Sequence, residues 1–117
     1  MPTIADYAII TDGFVTLPKA NGDIDQDFTF DAPAVSIGSR SVLAFRVNPD
    51  INTELKMELN GQRILEQPFD ANPQRSWHEV LPANLLKASG NTLTVSRSGG
   101  SGKVTVSNLV LFFQATI

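Results

Sequence analysis

From Leu55 to Phe113 the chain alternates short apolar runs with turn-forming residues, and this stretch admits little besides an antiparallel β-sandwich. Over Glu54 to Leu59, Leu55, Met57 and Leu59 share one face and Glu54, Lys56 and Glu58 the other, which is the period of a half-buried strand. Asn60-Gly61 follows, the pair that best tolerates the positive φ angles of a type I′ hairpin, and Gln62 to Leu65 reads as the return strand. Ser76 to Leu81 places Trp77, Glu79 and Leu81 on one side and His78 and Val80 on the other. Pro82 to Lys87 is expected to form one helical turn, closed at Gly90-Asn91 in the manner of a C-terminal cap. Thr92 to Ser96 and Lys103 to Ser107 flank a Gly-rich segment, Ser98 to Gly102, expected to be a flexible hairpin tip. Leu109 to Thr116 closes the domain.

The first half carries the same grammar less clearly. Tyr7 to Ile10 and Phe14 to Leu17 read as two strands joined by a tight Asp12-Gly13 hairpin. Lys19 to Asp27 is polar and loop-like, Asp27 to Phe30 resumes as a strand, and Ala34 to Ile37 reads as its continuation after Pro33. Ser41 to Val47 alternates again and stops at Pro49-Asp50. The expected fold is therefore all-β, an antiparallel sandwich of about eight or nine strands. The 117 residues fit one domain, 1–117, able to hold a core without a cross-link, and there is no cysteine to make one.

A formal charge of −3, without any run of Lys and Arg, gives no electrostatic reason to bind nucleic acid. No apolar stretch approaches the ~20 residues of a membrane helix, and the N-terminus lacks the basic and apolar regions of a secretory signal. Met1 is read as a native start, and the expected location is the cytoplasm, with signal-less release or association with a particle as the alternative.

Leu59 to Ile64, Trp77 with Pro82 and Leu85-Leu86, Gly90 to Val95, Val104 to Val106 and Leu109 to Leu111 together resemble the galactose-binding-domain-like jelly rolls. In that family an L-N-G hairpin, a Pro-Leu turn and a G-x-N-x-L-x-V strand recur. The resemblance covers about half of the chain and rests on turn and core residues, so it speaks first to fold. It implies a jelly-roll sandwich of the kind found in carbohydrate-binding modules and in accessory domains of glycosidases. It also implies a structural Ca²⁺ near the first strands. Asn21, Asp23, Asp25 and Asp27 set oxygen ligands at alternate positions there, as a hard cation requires. The EF-hand pattern fails, because the position of its closing Glu is Ala34; the other reading is a solvated acidic loop.

For a sugar site the aromatic candidates are Trp77, Phe69, Tyr7 and His78, since exposed rings stack on the apolar face of a pyranose. Phe69 lies in a Pro-bracketed loop, 67–73, where it either plugs the end of the sandwich or meets a partner. Trp77 is either a platform or core. Asn72, Gln74, Arg75 and Glu79 could complete a polar cup, or remain surface groups, as could Arg40, Arg46 and Arg63. Chemistry is poorly served: there is one histidine, Ser76 and Ser98 lack a nucleophile motif, and the Gly-rich tip lacks the Lys and helix of a phosphate loop. Glu54 and Glu58 are paired on an exposed strand face without an apolar pocket.

The last strand is apolar on both faces, with Leu109, Leu111 and Phe113 against Val110 and Phe112. A two-layer sandwich normally wets one face, so the second must be covered by the 82–87 turn, another element, or a second subunit. The expected function is non-catalytic, lectin-like carbohydrate binding. The alternative is a structural or assembly subunit, as in a phage-like particle, that meets protein partners or itself through Val110 and Phe112.

Overall fold

A computed structural model describes residues 2–50, 52–69 and 74–117. The chain forms eight strands among these residues: β1 (Thr3–Leu17), β2 (Asp25–Phe30), β3 (Ser41–Pro49), β4 (Thr53–Leu59), β5 (Gln62–Phe69), β6 (Arg75–Leu81), β7 (Asn91–Gly100) and β8 (Val104–Thr116). They make two four-stranded sheets, ordered β1-β8-β3-β6 and β2-β7-β4-β5, with every pairing antiparallel. The expected all-β sandwich is the observed fold. Alternation builds the core directly: Leu43, Phe45 and Val47 of β3 and Leu109, Leu111 and Phe113 of β8 belong to one cluster with Leu55, Met57 and Leu59 of β4 and Leu93 and Val95 of β7. Each such side chain, fully removed from water, contributes roughly 1.5–3 kcal/mol of transfer free energy.

Several element boundaries differ from expectation. Asp12-Gly13 is not a hairpin; β1 runs through it as one strand of fifteen residues, and the irregularity appears as register shifts between Ile9 and Phe14. The Gly13 amide is satisfied by Thr11 Oγ1 at 3.1 Å. A partner strand of matching length explains this. β8 is also continuous, absorbing its own irregularity at Asn108 (φ 56°), and β3 shifts register beside it between Ala44 and Arg46. The bulge therefore crosses three strands together. Ala34 to Ile37 forms a turn touching the sheet through a single bridge, Val35 to Ala115.

β5 extends to Phe69, taking in Pro68, which an edge strand tolerates because its missing amide faces away from the ladder. The Gly-rich tip is partly strand and is held in place. Arg97 donates to the Gly100 and Gly102 carbonyls, and the Ser101 amide donates to Asn52 O. The 82–87 segment is a turn without helix, and its Leu86 is buried in the core.

The turns named by the family resemblance meet each other. Asn60 (φ 51°) and Gly61 (φ 83°) form the β4–β5 hairpin turn. Asn60 Nδ2 donates to Leu85 O at 2.9 Å and to Asn91 Oδ1 at 3.0 Å, while its Oδ1 accepts from the Thr92 amide. Asn91 is fully buried; its amide group donates to Lys87 O and Phe30 O, and its Oδ1 also accepts from the Lys87 amide. Two asparagines thus close one end of the sandwich by satisfying the backbone of three separate segments, as burial demands.

Candidate functional site

Strand alternation gives each sheet a second face, directed away from the core. On the β2-β7-β4-β5 sheet it is polar. Thr92, Thr94, Ser96 and Ser98 run along β7, and Asp25, Asp27, Glu54, Glu58 and Glu66 stand against Lys56 and Arg63. Six of these groups bond in pairs: Thr94 Oγ1 donates to Asp27 at 2.7 Å, Ser98 Oγ to Glu54 at 2.9 Å, and Arg63 pairs with Glu66 at 2.9 Å.

The outer face of the other sheet is different. Register sets Tyr7, Phe112, Val42 and Val80 in one row across all four strands, and Ile9, Val110, Ala44 and His78 in the next. Beyond the bulge, Phe14 begins a third row that turns polar at Ser107, Arg46 and Ser76. Tyr7, Ile9, Phe14, Val80 and Phe112 are 60, 57, 75, 55 and 48% exposed. Over β1 and β8 the Tyr7 and Phe112 rings lie 6.5 Å apart at 44°, with Ile9 and Val110 in the next row, and over β3 and β6 the face continues with Val42, Ala44 and Val80. Beside Phe112 opens a cavity of about 140 Å³ lined in part by Asp6, Arg40, Val42 and Gln114, so charged and amide groups border the aromatic pair.

The sequence candidates fall in four places. Val110 and Phe112 lie on this apolar face, and the 82–87 turn does not cover it, being engaged at the Asn60–Asn91 end. Trp77, Phe69 and Arg75 come together at the open edge between β5 and β6. The rings of Phe69 and Trp77 meet edge to face at 6.0 Å, the Arg75 guanidinium stands 5.3 Å from the Phe69 ring centre, and the indole Nε1 donates to Glu79. Phe69 is 3% exposed, so it offers no ring face to a sugar; it plugs the edge. His78 points from the opposite side of β6, on the apolar face, away from Trp77. Asn72 lies outside the described residues.

The acidic positions do not converge. Asn21 and Asp23 bond each other within their loop, while Asp27 accepts from Thr94 on the polar sheet face. Among the described residues no three His, Cys, Asp or Glu side chains are grouped to hold a metal ion. Sequence reasoning named Tyr7 and Arg40 but could not join them to Phe112. Their proximity follows from the β1–β8 register and from β3 lying beside β8.

The architecture is that of the jelly-roll sandwiches to which many carbohydrate-binding modules belong. Solved structures bear this out at the level of fold. Dimeric latent PorU from Porphyromonas gingivalis matches with a TM-score of 0.72 at 13% identity, over 97% of this chain and 13% of that one. A family 29 carbohydrate binding module from Piromyces equi matches at 0.60 and 9% identity, over 93% and 91% of the two chains. The xylan-binding module CBM15 matches at 0.57 and 10% identity, over 96% and 97%. The chain thus spans about an eighth of PorU and nearly the whole of the two modules. No protein-family model and no curated protein matches the sequence.

Proposed function

We propose that this domain is a non-catalytic module that binds an extended carbohydrate chain on the outer face of the β1-β8-β3-β6 sheet. The observation that carries the reading is the exposed aromatic group Tyr7, Phe112 and Phe14 on one sheet of a jelly roll. Aromatic faces pack against the C–H face of sugar rings. Arg40 and Gln114 stand at the side, where hydroxyl groups of a bound sugar would need hydrogen-bond partners. Two structural neighbours, a carbohydrate binding module and a xylan-binding module, support the ligand class. Titration calorimetry against xylan, glucan, mannan and galactan tests it. Binding to at least one is expected, with Tyr7→Ala and Phe112→Ala each weakening it about tenfold, or ~1.4 kcal/mol. Absence of binding to all four, or indifference to both substitutions, would sink the reading.

A second reading, an assembly subunit that docks on protein, is supported by the aliphatic side chains of the same face. Ile9 and Val80 are exposed beside Val42 and Val110, and aliphatic side chains offer a sugar no stacking surface.

A further inference from the structure

We infer that β1 is a self-pairing edge, and that two copies of this chain join through it into one continuous eight-stranded sheet. The sandwich has four edge strands, and three are defended in familiar ways. β2 is only six residues long and carries Asp25 and Asp27; β5 carries Arg63, Glu66 and Pro68; β6 carries Arg75, His78 and Glu79. β1 has fifteen residues without Lys, Arg or Pro, and its first eight, Thr3 to Ile10, contain a single charge, Asp6. Every residue from Thr3 to Tyr7 is exposed, on both faces of the strand, so the opposite sheet does not shield this segment. The bulges that would spoil a ladder begin only after Ile9.

The direction of the free hydrogen bonds is visible at Tyr7. Its backbone amide donates to the neighbouring Asp6 Oδ1 at 2.8 Å, so it points away from β8 and takes a local carboxylate in place of a strand. In an antiparallel strand each residue's N–H and C=O point to one side, and the side alternates. Ala5, Tyr7 and Ile9 therefore present their main-chain groups to the open edge.

A two-fold axis normal to the sheet sets Tyr7 opposite the partner's Tyr7 and Ala5 opposite the partner's Ile9. On the inner face it sets Ile4 opposite the partner's Ile10 and Asp6 opposite the partner's Ala8. Ala5 meets Ile9, the apolar Ile4 meets Ile10, and each Asp6 faces an alanine, so the carboxylates are not directly opposed, which is why a second copy suits this edge. The segment from Ala5 to Ile9 then exchanges about six main-chain hydrogen bonds. The outer apolar faces of both copies end on the same side of the joined sheet.

Light scattering on the full chain up to millimolar concentration tests this, together with residue-resolved amide exchange. The expected mass is twice 12.7 kDa. Ala5, Tyr7 and Ile9 amides should slow as concentration rises, while Asp6 and Ala8, bonded to β8, stay slow throughout. Ala5→Pro removes an edge-facing amide only and should give a folded monomer; Ala5→Lys should do the same by charge, and decides the matter if the proline variant fails to fold. A one-chain mass at every concentration overturns the inference. So does a dimer that survives the Lys substitution, or one whose edge amides exchange as fast as in dilute solution.

Discussion

The outer faces of the two sheets are each laid over four strands and back onto one common core, yet their chemistry is opposite. One is a lattice of hydroxyl and charged groups that already bond one another, at Thr94–Asp27, Ser98–Glu54 and Arg63–Glu66. The other holds one apolar row from edge to edge and a second that ends at His78, and most of their large side chains remain in contact with water. Fold stability needs neither arrangement, since both faces lie outside the core. The difference teaches that the polar face is finished as it stands, whereas the apolar face is incomplete without something laid on it.

The comparison can be broken most forcefully from beneath. Leu111 lies on β8 between Val110 and Phe112 but points inward and is fully buried, so Leu111→Ala should cost about 2–5 kcal/mol in a urea melt. Next in size is Asn91→Ala, which strands the Lys87 amide and carbonyl and one bond of Asn60. A loss of about 2–3 kcal/mol is expected from the same melt, without effect on either outer face. Phe112→Ala sharpens the contrast directly: less than about 1 kcal/mol of stability, against the tenfold loss of glycan affinity predicted above, measured on one preparation. At the small end, Thr94→Val removes the hydroxyl bonded to Asp27 on the polar face. It should shift the melt by no more than about 0.5 kcal/mol and leave the glycan titration unchanged; a loss of binding there would move the site to the other sheet.

Much of the fold was legible because strand alternation is a local signal. Leu55, Met57 and Leu59 announce their burial, and Asn60-Gly61 announces its turn. Asp12-Gly13 misled because the same dipeptide serves a hairpin and a bulge, and only the length of a distant partner, β8, decides between them. Phe69 read as a loop residue because Pro68 looks like a strand breaker, and its tolerance depends on β5 being an edge, a property of sheet order. The doubly apolar last strand was legible too. What lay beside Phe112 was not, since Tyr7 reaches it from more than a hundred positions away through register alone. Trp77 drew attention as the single tryptophan, but its half-buried place at the β5–β6 edge depends on which strands end each sheet.

The Asn60–Asn91 bridge has a kinetic meaning as well. Its partners are 31 residues apart, and their bonds exist only when the hairpin turn, the 82–87 segment and the start of β7 are all in final register. We predict that this clasp closes after the folding barrier, so that it lends little to the climb and must be broken on the way back over it. Its weight falls on the lifetime of the folded state: Asn91→Ala should hasten unfolding in a stopped-flow experiment while leaving the refolding rate almost untouched, so that this small polar clasp acts as the latch of the sandwich.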